Sequence, residues 1–288
     1  MRVANINGRL ALRGTDGFID VAAASEGRFG PDPQQAFEHW DDLVAWARQT
    51  LARPQEIPDA ARIGTTDGAV WGPPVPRPAQ VFAVGLNYRD HVIESGLEIP
   101  QEPAVFTKFA TSLTGHERPV ELPEGLVDWE TELVAVIGRR CHRATRETAW
   151  SYVAALTVGQ DLSERRLQLT GPAPQFSLGK SYPGFAPLGP ELVSTDEFTD
   201  PDDLELGCML EGGEVLQKSR TSDMIFDVPE LVTRLSAVCP LLPGDLIFTG
   251  TPAGVGGARN PQKFLAPGDV LVTWIEGIGT LRNPMLAS

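Results

Sequence analysis

One stretch constrains this chain more than any other: Trp129-Glu130-Thr131-Glu132-Leu133-Val134-Ala135-Val136-Ile137-Gly138. From Leu133 to Ile137 every residue is apolar, which reads as a buried strand. Side chains two apart on a strand share a face, so Glu130 and Glu132 converge at its head. Two carboxylates held that close in a buried strand repel, and a bound cation removes the penalty. An exposed sheet end with two solvated glutamates is the alternative. Asp161 ends the run Ala154-Ala155-Leu156-Thr157-Val158-Gly159-Gln160-Asp161, where strands open into loops and ligands commonly bind. Alone, it would serve as well as a helix cap. Three carboxylates without a neighbouring Cys or His suit a hard cation, Mg2+ first, Mn2+ next and Ca2+ least.

The whole chain is acidic, with a net charge of −14 over 288 residues. That charge opposes nucleic acid and anionic membrane surfaces as partners. It opposes a small acidic substrate too, so such a substrate needs local positive charge from a metal or from buried Lys and Arg. No run approaches the roughly 18 apolar residues of a membrane span. The first residues, Met1-Arg2-Val3-Ala4-Asn5-Ile6-Asn7-Gly8, lack the apolar core of a signal peptide, and the expected location is cytoplasmic. Cys141, Cys208 and Cys239 are scattered and read as small buried hydrophobes in a reducing compartment.

Gly (29) and Pro (25) punctuate the chain into short segments, which predicts a β-rich α+β fold. Residues 1–75 read as a small N-terminal α+β domain. It would hold strands at 2–5 and 9–12 and a helix at 34–51, with Phe37, Trp40, Leu43, Val44 and Ala47 at helical spacing. The four prolines between Pro73 and Pro78 suggest a stiff linker. A larger domain over 76–288 follows, with strands at 80–85, 130–137, 154–158, 204–210, 246–249 and 270–275 and helices at 89–95, 164–169 and 229–237. Strands and helices do not alternate, which disfavours a doubly wound parallel sheet. The glycines between Gly250 and Gly256 match no nucleotide fingerprint.

Several polar residues stand out near the carboxylates in sequence. Arg165 and Gln168 follow Asp161 by four and seven residues and would share one helix face, either to hold a substrate oxygen or as ordinary surface. Lys180 sits among apolar and glycine residues, where a lysine is either buried with a function or snorkelling. Asn87-Tyr88-Arg89-Asp90-His91-Val92-Ile93-Glu94-Ser95-Gly96 reads as a short helix with Asn87 as cap and Gly96 as stop. His91 and Glu94 share a face there, as a routine surface pair or as a base oriented by a carboxylate.

Five stretches in order resemble the fumarylacetoacetate hydrolase superfamily, including its acylpyruvate hydrolase and 2-hydroxyhepta-2,4-diene-1,7-dioate isomerase members. They are Gly85-Leu86-Asn87-Tyr88-Arg89-Asp90-His91, Glu130-Thr131-Glu132, Asp161-Leu162-Ser163-Glu164-Arg165, Leu178-Gly179-Lys180-Ser181 and Thr249-Gly250-Thr251-Pro252-Ala253-Gly254-Val255-Gly256. The resemblance implies a mixed β-roll catalytic domain and a homodimer. It implies Mg2+ or Mn2+ held by Glu130, Glu132 and Asp161, with Lys180 as the active-site lysine. It implies that Arg165, Gln168, Thr251 and Gly250 contact substrate and that His91 and Glu94 form a base dyad on a lid. The implied reaction is C–C hydrolysis of a small 2-oxo or 1,3-dicarbonyl acid through a metal-stabilised enolate. Decarboxylation of an oxaloacetate-like acid, or isomerisation of a 2-oxo or 2-hydroxy-diene dioate, is the alternative; a non-catalytic ligand-binding protein is a remote one. The chain departs from the family at Arg166, where many relatives carry an acid.

Overall fold

The computed structural model describes residues 1–288. The strand Thr131–Ile137 is buried at all seven positions. It pairs antiparallel with Val153–Gln160 on one side and with Leu246–Phe248 on the other. Its alternate side chains serve two cores. Val134 and Val136 join a cluster of 26 buried residues, while Leu133, Ala135 and Ile137 join another of 25. That is the period-two pattern of a strand covered on both faces. Burying Leu133 or Ile137 contributes about 2 kcal/mol each.

This strand lies inside a twelve-stranded mixed sheet. Along its ten-strand path the order from one edge is Arg62–Ile63, Gly17–Asp20, Arg9–Gly14, Arg2–Ile6, Ala186–Ser194, Val153–Gln160, Thr131–Ile137, Leu246–Phe248, Val81–Gly85 and Ala104–Thr107; off that path Trp71–Gly72 pairs with Arg2–Ile6 and Leu113–Thr114 with Ala186–Ser194. Most neighbours are antiparallel, but Leu246–Phe248 runs parallel to Val81–Gly85. A five-stranded sheet orders Val215–Arg220, Glu205–Leu210, Val270–Ile275, Gly279–Ala287 and Val120–Leu122. Val127–Asp128 pairs separately with Ser163–Glu164. With few helices beside three sheets, the architecture is β-rich α+β, as the segment pattern predicts. No helix is long and apolar enough to cross a membrane. All three cysteines are free, Cys141 and Cys208 buried and Cys239 partly so.

The sheet and the first core run across the boundary expected at residues 75–76. Arg2–Ile6 pairs with Ala186–Ser194, and Met1, Val3, Leu10 and Leu12 share a cluster with Val81, Val134 and Phe248. The proline-rich segment is packed chain rather than a linker. Trp71–Gly72 pairs with Arg2–Ile6, the Asn5 side-chain amide donates to the Pro73 carbonyl at 2.9 Å, and Val75 is fully buried. The expected helix over 34–51 is two elements. A 3-10 turn, Pro33–Glu38, starts from a cap at Asp32, and the α-helix Trp40–Leu51 follows. His39, at φ −139° and ψ 41°, separates them, while Phe37 and Trp40 stack across the break with ring centroids 5.4 Å apart.

Asn87 does not cap the helix Arg89–Glu94; Tyr88 occupies that position without a side-chain bond. The buried Asn87 amide instead donates to the carbonyls of Phe226 (2.8 Å) and Thr249 (2.7 Å) and accepts from Phe226 N–H (2.8 Å). It ties the helix to two distant loops. Gly96 does stop the helix: Gly96 N–H reaches Ile93 O and Leu97 N–H reaches Val92 O, with Gly96 at φ 67°. Asn87→Ala leaves three buried backbone groups without partners and is expected to cost about 3 kcal/mol in chemical denaturation. A loss below about 1 kcal/mol would contradict this account of the contact.

Candidate active site

Two strand ends bring the acids together. The register sets Thr131 against Gln160 and Glu132 against Gly159, and Asp161 N–H donates to Glu130 O at 2.9 Å. Carboxylate oxygens of Glu130, Glu132 and Asp161 consequently lie within 4.8 Å of one another. All three residues are buried. Gly159 makes room for this register, since a Cβ there would lie 2.5 Å from Val134 Cγ2 and 2.7 Å from Phe248 Cε1. Side-chain amides hold the start of the strand: Glu130 N–H donates to Gln160 Oε1 (3.0 Å) and Thr131 N–H to Gln217 Oε1 (2.9 Å).

Three cations answer the acids. Lys180 Nζ donates to Glu130 Oε2 (2.8 Å), Asp161 Oδ2 (2.6 Å) and Ser163 Oγ (2.8 Å). Lys108 Nζ reaches Asp161 Oδ1 at 2.5 Å and the Lys180 carbonyl. Arg165 donates to Glu130 Oε1 at 2.7 Å and clamps Asp128 Oδ2 at 2.8 Å. Asp128 also accepts from the N–H groups of Trp129, Gly256 and Gly257, so it anchors Arg165 and the 250–257 loop. Neither Lys108 nor Asp128 emerged from the sequence reading. Asp128 had a local signal, because it continues the acidic alternation of 130 and 132. Lys108 had none; it follows the edge strand Ala104–Thr107 and arrives through sheet topology.

Four acids thus face three cations, and Glu132 is the one left over. Its side chain accepts a hydrogen bond from Gly250 N–H at 2.7 Å and makes no ion pair. Burial, reinforced by the charges of Asp161 and Glu130, pushes the Glu132 carboxyl well above its usual range. Burial also opposes the charge of Glu130, but Lys180 and Arg165 outweigh it and hold that carboxyl at about 2. The two acids diverge because only Glu130 touches cations. Burial works against the Lys180 ammonium as well, yet Asp161 and Glu130 keep its pKa above the ordinary value. Lys108 goes the other way, because burial outweighs the single acid it touches. Hard oxygen donors within one ion's reach and an acid lacking a counter-charge fit a divalent cation.

Glu130 and Lys180 open onto a cleft of about 840 Å³, which His91, Glu94, Arg165, Gln168 and Thr251 also line. His91 Nδ1 lies 2.7 Å from Glu94 Oε1. Glu94 in turn accepts from Gly254 N–H at 2.9 Å, which fixes the helix Arg89–Glu94 to the glycine-rich loop. Gln168 Oε1 accepts from Arg165 at 2.9 Å, so the pair expected to meet substrate is first tied to itself. Thr251 Oγ1 accepts from Gln217 at 2.8 Å. Gly250 is buried and does not line the cleft, its N–H spent on Glu132 rather than free for a ligand. It stands at φ 95°, with Asn87 Cβ only 2.7 Å from where a Cβ would sit.

A cation-ready carboxylate triad beside a histidine–carboxylate pair, on this β-rich scaffold, is the site of a metal-binding enzyme. The family model for the C-terminal domain of fumarylacetoacetate hydrolase matches residues 80–286, and the chain belongs to that family. It is 42% identical over 215 residues to a mitochondrial oxaloacetate tautomerase, FAHD2A of Bos taurus, covering 74% of this chain and 68% of the relative. Against the Homo sapiens FAHD2A the identity is 39% over 254 residues, covering 88% and 79%. Among solved structures, maleylpyruvate hydrolase from Sphingobium sp. SYK-6, in complex with manganese(II) ion and pyruvate, superposes with a TM-score of 0.81 at 26% identity over the whole of both chains. Fumarylacetoacetate hydrolase from Exiguobacterium antarcticum gives 0.83 at 29%, again over both whole chains.

Metal and proton compete for Glu132. Mg2+ or Mn2+ at a hundredfold over its Kd is expected to raise stability by about 2.7 kcal/mol in a thermal melt. Glu132→Gln is expected to lose that response while melting no lower than the parent without metal, because its neutral amide replaces an acid that burial and its neighbours already disfavour in charged form. The metal-free parent carries a further signature. Its raised Glu132 contributes stability at pH values below the ordinary carboxylate range, lost as pH rises through the elevated value, and Glu132→Gln flattens that slope. A full metal response in the variant would contradict the assignment.

Proposed function

We propose that this chain is a hydrolase that cleaves a C–C bond in a small 2-oxo or 1,3-dicarbonyl acid of the acylpyruvate type, with Mg2+ or Mn2+ at Glu130, Glu132 and Asp161. One observation carries the reading: the His91–Glu94 pair lines the same cleft as Glu130 and Lys180. When bound, the metal ion supplies Lewis-acid stabilisation to the enolate oxygen that develops as the bond breaks. With Glu94 accepting from Nδ1–H, Nε2 of His91 is the basic nitrogen and takes a proton from water. The hydroxide so formed adds to the acyl carbonyl. The bond between that carbon and the neighbouring methylene then breaks, releasing a carboxylic acid and the enolate of a 2-oxo acid. The enolate takes up a proton at the former methylene carbon. Lys180 keeps its ammonium charge beside the acids and adds positive potential where the enolate forms, in a chain whose overall field is negative.

A second reading is favoured by the likeness to oxaloacetate tautomerases. There an enol gives up its O–H proton to leave a like enolate, which is protonated at carbon without C–C cleavage, and His91 moves that proton. Decarboxylation of an oxaloacetate-like acid would need neither activated water nor His91.

Acetylpyruvate and oxaloacetate separate these readings. Hydrolysis predicts metal-dependent release of pyruvate and acetate from acetylpyruvate, and His91→Ala is expected to lower that kcat by about 10²- to 10⁴-fold while sparing any decarboxylation of oxaloacetate. Metal-dependent loss of oxaloacetate enol, with acetylpyruvate left intact, would replace hydrolysis by tautomerisation.

A further inference from the structure

One buried amide joins the acid cluster to the cleft wall, and its surroundings fix the direction of every hydrogen bond it makes. Gln217 lies on Val215–Arg220 in the five-stranded sheet, is buried and does not line the cleft. Its Oε1 accepts from Thr131 N–H at 2.9 Å, with Cys208 Sγ 3.4 Å away. Its Nε2 donates to the Pro252 carbonyl at 2.7 Å and to Thr251 Oγ1 at 2.8 Å. Main-chain groups decide which end is which, since a peptide N–H needs the oxygen and a peptide carbonyl needs the nitrogen. Both amide hydrogens are then used, one on Pro252 and one on Thr251. Thr251 is left in a defined state. A hydroxyl carries one hydrogen, and an oxygen accepting from Gln217 turns that hydrogen elsewhere. Thr251 Oγ1 makes no bond as donor within the chain. Thr249, two residues earlier, differs: its hydroxyl donates to Leu133 O at 2.9 Å. Thr251 lines the cleft together with Glu130 and Lys180, so its hydrogen is the one this wall keeps for a ligand.

We propose that Gln217 is a positioning residue: by donating to Thr251 Oγ1, it obliges the Thr251 hydroxyl to donate in turn to an anionic oxygen of the ligand, carboxylate or enolate. The proposal rests on the 2-oxo acid reading of the cleft and adds to it a residue that never touches the ligand. The same side chain holds Thr131, which stands between Glu130 and Glu132, so it sets the wall's donor relative to the buried acids. Gly254 lets the loop lie this close to the strand, because a Cβ there would meet Leu216 O and Gln217 Cγ.

Pyruvate binding to the Mn2+-loaded full chain tests this without turnover, since the proposed hydrolysis leaves pyruvate intact. Its Kd is measured calorimetrically through a double-mutant cycle at residues 217 and 251. Gln217→Glu keeps the shape of the side chain but puts an acceptor opposite Thr251, which draws the hydroxyl hydrogen back from the cleft. It is expected to weaken pyruvate about tenfold, as suits the loss of a hydrogen bond to a charged group. Thr251→Val is expected to do the same, and Thr251→Ser to keep the affinity of the parent. In the Thr251→Val background, Gln217→Glu is expected to change the Kd by less than about twofold, because the hydroxyl it acts through is gone. Gln217→Met, run in parallel, drops the amide without adding an acid, and its smaller loss is expected to vanish in Thr251→Val as well. A loss that persists in full in Thr251→Val would come from added charge or general disorder and overturns the proposal. Pyruvate bound at full strength by Gln217→Glu overturns it too, as do two residue-217 variants that both fail to fold, which would mark a purely structural role. A parent that binds no pyruvate sinks the 2-oxo acid reading and this proposal with it. Absence of pyruvate release from acylpyruvates, with the coupling between 217 and 251 intact, sinks the hydrolase reading alone.

Discussion

Burying like charges side by side is the constraint from which the rest of this structure follows. Asp128, Glu130, Glu132 and Asp161 crowd the ends of adjacent strands, all of them shielded from water. An unpaired buried charge costs several kcal/mol. Lys108, Lys180 and Arg165 offset most of that cost, each bonded directly to one or two of the acids. What remains is a single uncompensated carboxylate, Glu132, next to two others. The protein has built a place for positive charge and then left it one cation short.

The sheet supplies the precision that such a site demands. Thr131–Ile137 is fixed on both edges by pairing and on both faces by core, so its first residues have little freedom. One loop then joins the separate parts of the site. Gly250 N–H holds Glu132, Gly254 N–H holds Glu94, and the N–H groups of Gly256 and Gly257 hold Asp128. The carboxylate cluster, the His91–Glu94 pair and the Asp128 anchor of Arg165 are therefore coupled through about eight residues of backbone. Displacing that loop would disturb all three at once.

Much of this was legible in the residues themselves. The i, i+2 spacing of Glu130 and Glu132 before an apolar run fixes a shared face, and the end of the neighbouring apolar run places Asp161. His91 and Glu94 pair because three residues is helical spacing, whatever surrounds the helix. Lys108 was not legible, since its partner lies 53 residues away and only the strand order brings them together. The Asn87 cap failed for a related reason. A buried asparagine with two carbonyls and an N–H within reach is better satisfied by tertiary partners than by a local turn. The helix expected over 34–51 breaks because Asp32 and Pro33 start a tighter turn and the stacking of Phe37 on Trp40 carries the apolar spacing across His39. Apolar periodicity reports a buried face, not continuity of one helix. The proline-rich stretch misled in the same way: prolines forbid regular helix, but Val75 and Trp71 still pack into cores.

Anomalous diffraction from crystals soaked in Mn2+ addresses the central claim most directly. The account predicts one strong peak about 2.1 Å from an oxygen of each of Glu130, Glu132 and Asp161. A strong peak elsewhere, with Glu130 and Asp161 still linked only to lysine and arginine and Glu132 only to Gly250 N–H, would contradict it.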